Sequence, residues 1–409
     1  MDRTTILRWR DRLLAVALIA LASAAAAVEP WPHFRGDLPY TGRTDRVSRL
    51  GPTLLWSART SGSIVGSPVM DSSGTLYVAA ASGHVHAFDR EGTRRWAFAT
   101  SASLFGSPTL APDATIHVGD LAGRVYALRP DGTLRWVYQI TNSGRDARVI
   151  QAPGIGPEGN VYVCAWDGRL HAFGPGGAHL WGVSLGGYLS ASPAVDTTGT
   201  IYVVGYSDDD LRVYARRTDG TSKWTFARDM GSTAYGAFAT YIKSSVCVDE
   251  ARGRLYVAAN CPDGGWFACL DLRTGAALDW RAFPRAIYSA PSVGPDGAVF
   301  FGALDGRLYA YDPDRKTVKW SFQTDGEFIF GSPLVDGDGS VYVGASDGCL
   351  YKVGPTGREV WRFATAADVR ATPLIDAAGV LYFASHDSRL YAIGGVTRAR
   401  AWRRYDARP

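Results

Sequence analysis

The chain has 409 residues, of which 46% are hydrophobic, and it contains 13 tryptophans and 47 glycines. This length accommodates two or three ordinary domains or one large repeat domain. The formal net charge of +4 comes from the two ends of the chain, because the segment between them is slightly acidic. The basic stripe that nucleic-acid binding requires is therefore not indicated.

The first 27 residues have the composition of a secretory signal. Basic residues come first, and an apolar run from Leu13 to Val28, broken only by Ser23, follows them. This run is shorter than the roughly 20 residues that a spanning helix needs, and its alanine-rich end suits signal peptidase. We predict that residues 1–27 are cleaved and that the protein is periplasmic or secreted; an uncleaved anchor is the alternative. The first cysteine is Cys164, so we expect no lipid anchor and no membrane span after cleavage.

A repeated unit fills most of the remaining chain. Its tryptophans recur mostly at intervals of 40 or 41 residues, at Trp56, Trp96, Trp136, Trp181, Trp224, Trp280, Trp320, Trp361 and Trp402. Prolines mark the same units at Pro68, Pro108, Pro153, Pro193, Pro291, Pro333 and Pro373, with Val246 in place of one proline. A period of about 40 residues with several short strands is typical of propeller blades. We predict an all-β fold, an eight-bladed β-propeller of four-stranded antiparallel blades with tryptophan-containing outer strands.

Each unit contains the same four segments. Strand A, such as Ile64–Asp71, leads through a turn to strand B, such as Leu76–Val78, and a tight hairpin leads to strand C, such as Leu308–Asp312. A second turn then leads to the outer strand D with its tryptophan. Large and small residues alternate along strand A, which lets tapering blades interdigitate near the axis. Because no blade buries its two faces alone, we expect each tryptophan to lie flat against the next blade.

Nine tryptophans serve eight blades, which leaves two ways to close the ring. Trp56 has the spacing to the next unit that the other outer-strand tryptophans have, whereas Trp402 lacks the preceding turn. We predict that the Trp56 strand completes the last blade, and closure by Trp402 is the alternative. Residues 56–395 then form the propeller, residues 28–55 a lead-in and residues 396–409 a basic tail.

The fifth unit is longer than the others, with extra residues between Trp224 and Trp280. Long loops in a regular fold often carry function. Cys261 and Cys269 flank a turn in this unit and are candidates for a disulfide in an oxidising compartment; free thiols are the alternative.

Histidines take tyrosine positions of the repeat at His86, His117 and His171. We interpret them as aromatic substitutes, and the sequence contains no spacing of ligands that indicates a metal site. The motifs of serine hydrolases, phosphate-binding loops and zinc proteases are also absent from the sequence. We therefore assign no catalytic residue.

Three segments resemble pyrroloquinoline quinone (PQQ)-type repeat propellers. They are VYALRPDGTLRW, which ends at Trp136, LYAYDPDRKTVKW, which ends at Trp320, and the lead-in WPHFRGDLPYTG, which begins at Trp31. The resemblance extends from Trp31 to about Gly395 and is specific for the fold. The repeat itself is a packing device that enzymes and non-enzymes share, so it does not specify the function.

Two branches of this family are relevant. Quinoprotein alcohol dehydrogenases hold PQQ with Ca²⁺ over the channel, beside a catalytic Asp and a disulfide between adjacent cysteines. This chain has no adjacent cysteines and no C-x-x-C-H motif, so that apparatus cannot be transferred residue by residue. The other branch resembles the propeller scaffold of the outer-membrane β-barrel assembly machinery. It fits the length and the blade number, although that scaffold is lipid-anchored through a cysteine that is missing here.

The candidate binding residues are those that vary between units just before strand A, at one mouth of the channel. Cations there would suit a carboxylate ligand, and aromatic rings would form a floor beneath it. In the alternative, Asp368 and Glu327 neutralise the cations and the mouth holds only water. The candidate set is Arg148, Tyr188, Tyr241, Lys243, Arg285, Tyr288, Glu327, Asp368 and Arg370, with Phe328 and Phe330 beside them.

Two functional hypotheses follow. The first is an exported, monomeric, non-catalytic PQQ-like propeller that acts as a binding or scaffold module for a protein or glycan in the cell envelope. The second is a PQQ-dependent quinoprotein oxidoreductase with the cofactor at the channel mouth, for which the family resemblance implies PQQ with calcium. A role in sensing sugars or the cell wall is a third interpretation.

Overall fold

The computed structural model describes residues 30–141, 146–187, 189, 191–207, 210–229, 244–261 and 264–395, without the side chains of residues 206, 207 and 261. The predicted signal at residues 1–27 and the predicted tail at residues 396–409 lie outside this range. No helix within the described residues is long and apolar enough to cross a membrane.

Short antiparallel strands follow one another along the first half of the chain. After β1 (Leu54–Arg59), the first four blades are β2 (Val69–Met70), β3 (Leu76–Ala80), β4 (His84–Phe88) and β5 (Arg94–Ala99); β6 (Thr109–Leu110), β7 (Ile116–Gly119), β8 (Arg124–Leu128) and β9 (Leu134–Gln139); β10 (Gly154–Ile155), β11 (Val161–Cys164), β12 (Arg169–Phe173) and β13 (His179–Ser184); and β14 (Ala194–Val195), β15 (Ile201–Ser207), β16 (Asp210–Arg216) and β17 (Ser222–Asp229).

The second half continues the pattern, with one 3-10 turn at Glu250–Arg252. Its blades are β18 (Cys247–Asp249), β19 (Arg254–Cys261), β20 (Gly264–Asp271) and β21 (Ala277–Phe283); β22 (Ser292–Val293), β23 (Val299–Gly302), β24 (Arg307–Asp312) and β25 (Thr317–Gln323); β26 (Leu334–Val335), β27 (Val341–Gly344), β28 (Cys349–Val353) and β29 (Glu359–Ala364); and β30 (Leu374–Ile375), β31 (Leu381–Ser385) and β32 (Arg389–Ile393).

The strands form eight four-stranded sheets, which confirms the predicted eight-bladed propeller. Seven sheets use four consecutive strands, and the eighth has the order β1-β32-β31-β30. Trp56 of β1 lies opposite Ala392 of β32. The predicted closure by the Trp56 strand is therefore confirmed, and the first strand of the chain completes the last blade.

The innermost strands are shorter than predicted. Ile64–Asp71 was expected to be a strand throughout, but in the first blade only Val69 and Met70 pair with β3. The reason is local, because Pro68 has no backbone N–H to donate to a ladder. The N–H of Ser67 donates instead to Ser107 Oγ of the next blade, at 2.7 Å. The segment before each innermost strand thus connects blades rather than extending its own sheet.

This hydrogen bond between blades recurs around the axis. The residue before the proline donates its N–H to the hydroxyl of the equivalent residue in the following blade. The pairs are Ser67–Ser107, Ala152–Ser192, Ser192–Ser245, Ala290–Ser332 and Thr372–Ser67, at 2.7 to 3.1 Å. The last pair joins blade 8 to blade 1, so the inner ring is closed by the same bond that connects its other blades.

Tryptophans connect the blades at the outer edge. Six indole N–H groups donate to a backbone carbonyl in the second turn of the next blade, at 2.6 to 3.1 Å, from Trp56, Trp96, Trp136, Trp181, Trp224 and Trp320. A glycine of that turn lies against each ring. Trp280 lacks this bond, and Lys316, with a φ of +57°, takes the glycine position opposite it. Trp361 faces blade 8, whose fourth strand is β1 rather than a strand that follows β32.

One of the three histidines, His171, bonds to an aspartate as tyrosines at this position do, and His86 and His117 do not. His171 Nε2 lies 3.1 Å from Asp167 Oδ2, and Tyr126 makes the equivalent 3.0 Å bond to Asp120. His86 bonds to Ser61 instead. The fully buried His117 leaves Nδ1 without a partner, and burial lowers its pKa to about 3. His117 is therefore a neutral packing group at neutral pH.

The lead-in crosses one end of the channel. Backbone N–H groups of the innermost strands in six blades donate to its carbonyls, from Met70, Leu110, Val195, Val248, Val293 and Val335, at 2.7 to 3.1 Å. The Tyr40 hydroxyl reaches the Pro153 carbonyl of blade 3, and the Ser48 hydroxyl donates to Gly379 of blade 8 at 2.7 Å. The lead-in thus contacts all eight blades, and its backbone bonds lie at the end where the innermost strands finish.

The inner-ring bond predicts the effect of Ser67→Ala. This change removes the acceptor for the buried N–H of Thr372 and should lower the free energy of unfolding by about 1 to 3 kcal/mol. Urea unfolding measures the loss. Ser321→Ala, on the exposed face of β25, is the matched control and should change stability by less than about 0.5 kcal/mol. Equal losses in the two variants would contradict this role of Ser67.

The outer-edge contact predicts the effect of Gly357→Ala. Gly357 has a φ of +79°, and a Cβ there would lie 2.7 Å from the Trp320 ring. We expect a loss of about 1 kcal/mol for the left-handed backbone and a further 1 to 3 kcal/mol, roughly, for displacing the ring. Gly253→Ala separates the two costs, because Gly253 has a φ of +63° and nothing within 4 Å of a Cβ. If both variants lose the same stability in urea unfolding, the ring contact contributes nothing.

Candidate functional site

The lead-in makes the two ends of the channel different. It bonds to the last residues of the innermost strands, beside the turns that lead to the second strands. The candidate binding residues precede the first residues of those strands and therefore lie at the opposite end. This opposite end is called the open mouth below, and the end that the lead-in crosses is called the sealed end.

The open mouth is held in shape by backbone bonds within each blade. The carbonyl of the residue five positions before the proline accepts from the hairpin between the second and third strands. Arg148 accepts from Trp166 at 3.1 Å, Phe328 from Ser346 at 3.0 Å and Asp368 from His386 at 2.9 Å. Arg148, Phe328 and Asp368 thus emerge from segments that a backbone hydrogen bond holds, although these segments are not part of a strand.

Five residues come together across blades 6, 7 and 8. The Tyr288 and Phe330 ring centroids are 5.8 Å apart, and the Phe328 and Phe330 centroids are also 5.8 Å apart. The Arg370 guanidinium lies over the Phe330 ring, 4.5 Å from its centroid. Arg370 Nη2 also bonds to Asp368 Oδ2 at 2.8 Å. These five residues are called the aromatic strip, and the charge of Arg370 is already paired within it.

Arg148 lies apart from this strip, on blade 3. Its Nε is 2.8 Å from Asp146 Oδ2, and its guanidinium lies 5.1 Å from the centroid of the Trp166 ring. Sequence analysis missed Trp166 and Asp146. The sequence could have indicated Trp166, because the equivalent hairpin position carries Ala81 or Ser346 in other blades. A position that varies between repeats is not required for the packing that all repeats share.

The remaining candidates are less constrained or not described. Arg285 and Glu327 are exposed. Tyr188, Tyr241 and Lys243 lie outside the described residues, as do residues 230–243, which include most of the long segment after Trp224. The described part of the mouth thus contains the aromatic strip, the Arg148 group on blade 3 and two exposed charges of opposite sign.

The described residues do not fit PQQ with calcium. They contain no group of three His, Cys, Asp or Glu side chains that could hold a metal ion. Two cations of the described mouth, Arg148 and Arg370, each bond to a carboxylate two residues before them. A cofactor carboxylate would have to displace those partners, so no residue of the described mouth is assigned to it.

The four cysteines whose side chains are described do not form the disulfide that quinoprotein dehydrogenases have beside their cofactor. Cys164, Cys247, Cys269 and Cys349 are free thiols and are buried. Cys269 lies opposite Tyr256, and Cys261 lies opposite Gly264. The register of this hairpin therefore separates Cys261 from Cys269, and the disulfide considered from the sequence is not formed.

Comparisons with known proteins agree with this geometry. The family model described as outer membrane protein assembly factor BamB matches residues 8–173, 263–353 and 328–409. No curated protein matches the sequence. BamB from Moraxella catarrhalis is similar in structure, with a TM-score of 0.68 and 20% identity over 84% of this chain and 100% of that one.

Enzymes with this fold are also similar. Quinohemoprotein alcohol dehydrogenase from Comamonas testosteroni has a TM-score of 0.73 and 16% identity, over 94% of this chain and 83% of that one. A europium-containing methanol dehydrogenase has a TM-score of 0.70 and 14% identity, over 90% of each chain. At these identities the structural likeness shows the fold alone. The family model matches well over half of the sequence, and the chain therefore belongs to the PQQ-repeat family that this model, described as outer membrane protein assembly factor BamB, represents.

Proposed function

We propose that this protein is a non-catalytic binding module of the cell envelope that docks a protein partner at its open mouth. The observation that carries the proposal is the aromatic strip, which lies at the end of the channel that the lead-in leaves open. The name of the family model supports the same class of function. The charged amino-terminal segment and the apolar run that follows it support export.

The chemistry of the strip suits a protein surface. Aromatic residues and arginine are enriched among the residues that dominate binding energy at protein interfaces. Phe328 is 36% exposed, and Phe105, on blade 2, is 38% exposed, so apolar area is available for burial. Because Arg370 keeps Asp368 as its partner, a docking protein covers a cation–aromatic surface without leaving a single charge unpaired.

Cross-linking from the open mouth tests the proposal. A photo-reactive phenylalanine at position 328, in cells that produce the protein, should give one discrete adduct with a partner protein. The same probe at position 49, an exposed site on the lead-in, should give none. Phe330→Ala should lower the affinity for that partner by about ten-fold or more. Leu180→Ala, at a 50% exposed site on an outer strand, is the matched control and should leave it unchanged.

The proposal fails if position 328 gives no adduct, or if positions 328 and 49 give the same adduct in equal yield. It also fails if Phe330→Ala and Leu180→Ala bind the cross-linked partner equally well, because the strip would then not be the docking surface.

A PQQ-dependent oxidoreductase is the second candidate, favoured by the fold that this chain shares with the quinoprotein dehydrogenases. Thermal unfolding with PQQ and Ca²⁺, separately and together, distinguishes the two. We expect no rise in Tm at concentrations well above micromolar, since Arg148 and Arg370 are already paired with carboxylates. A rise that requires both additives and disappears in Lys243→Ala or Arg370→Ala would replace the binding-module proposal with the enzyme.

A further inference from the structure

The lead-in at the sealed end of the channel carries a buried cation. Arg35 belongs to the lead-in, and its side chain is fully buried. Its backbone has a φ of +66° and the following Gly36 has a φ of +97°, in a turn closed by the 2.9 Å bond from Gly36 N–H to the His33 carbonyl. A left-handed conformation is unfavourable for a residue with a side chain, and such residues often occur at functional sites.

The guanidinium of Arg35 is only partly satisfied by the protein. Its Nη2 donates to the Pro291 carbonyl and, at 2.7 Å, to Ser292 Oγ. The Ser292 hydroxyl in turn donates to the Pro333 carbonyl at 2.6 Å, so Arg35 connects the lead-in to blades 6 and 7. Nε and Nη1 have no hydrogen-bond partner among the described residues. Apart from the neighbouring Cys247 sulfur, which is a weak acceptor, the three N–H groups on these two nitrogens are left without acceptors.

The positive charge of Arg35 also has no direct counter-charge in the described chain. The nearby carboxylate of Asp37 is bonded to the N–H and the hydroxyl of Thr41 instead. The neighbouring Cys247 is neutral, because burial raises the pKa of its thiol to about 12. Burial lowers the pKa of Arg35 as well, yet an arginine remains protonated in proteins. An unpaired buried charge is strongly unfavourable unless another ion accompanies it.

Water would satisfy the free N–H groups but not the charge, whereas an anion would satisfy both. We propose that the sealed end binds a small monovalent anion of the halide class on one of the two free donors of Arg35, Nε or Nη1, whose N–H groups point to different edges of the guanidinium. A guanidinium binds a carboxylate or phosphate in a bidentate way through two parallel N–H groups. The two possible pairs are Nε with Nη2 and Nη1 with Nη2, so both include Nη2. Because Nη2 already donates to Pro291 and Ser292, no bidentate grip remains, and a spherical ion matches the single donors that are left.

Occupancy of this site would stabilise the folded protein, because an ion that binds only the native state raises its stability by mass action. The anion would hold the Arg35 side chain in place and, through it, the lead-in that crosses the channel. The site does not depend on what binds at the open mouth, so it is separate from the proposed docking function.

Thermal unfolding at constant ionic strength tests the site. Replacing sodium gluconate, whose anion is large, by sodium chloride should raise Tm by about 2 to 4 °C in a saturable way, and sodium bromide should do the same. Arg35→Met keeps the unbranched stem of the side chain and removes the guanidinium with its charge, so its Tm should be equal in chloride and gluconate. Arg49→Met, at an exposed position of the lead-in, should retain the full difference.

Crystals of the unaltered protein soaked in bromide provide a second measurement that does not require Arg35→Met to fold. An anomalous peak beside Nε or Nη1 of Arg35 is expected. Equal Tm values of the unaltered protein in chloride and gluconate, or a bromide-soaked crystal with only water beside Arg35, would overturn the proposal.

Discussion

Ring closure is the constraint on which the rest of this structure depends. A four-stranded blade has two apolar faces and buries neither alone, so each blade is stable only between two neighbours. Neighbouring blades are joined at two distances from the axis. Near the axis a backbone N–H donates to a serine hydroxyl, and at the outer edge an indole N–H donates to a backbone carbonyl. Pairing of β1 with β32 brings both kinds of bond to the junction between the last blade and the first.

The lead-in converts this symmetric ring into a molecule with two unlike ends. It bonds to the innermost strands of consecutive blades and therefore also opposes their separation. Lys352 strengthens this connection, because it replaces the alanine of the other third strands and donates to the Ser48 carbonyl from a buried position, at 2.7 Å. Since the lead-in occupies the sealed end of the channel, an approaching molecule reaches the channel at the open mouth.

The sequence predicted those features that the repeat specifies and missed those that single residues specify. Blade number, outer tryptophans and closure by Trp56 follow from spacing, because equivalent residues pack equivalently in each unit. The path of the lead-in does not, since Arg35 contacts residues 256 and 257 positions away and no local pattern encodes such a contact. The short innermost strands were missed because Pro68 was interpreted as a strand residue, whereas it redirects Ser67 to the next blade. The sequence also suggested that Asp368 neutralises Arg370. The contact of Arg370 with the Phe330 ring joins two blades, and no local pattern predicts it.

The distribution of charge separates the two ends further. At the open mouth, Arg370 bonds to a carboxylate two residues before it, so the segment carries its own counter-charge before any ligand arrives. At the sealed end, Arg35 is buried without one. A pocket for a carboxylate-bearing cofactor at the open mouth would need the reverse arrangement, with unpaired cations where the ligand enters. The described mouth instead offers apolar rings beside the paired charges of Arg370 and Asp368, which favours contact with another macromolecular surface.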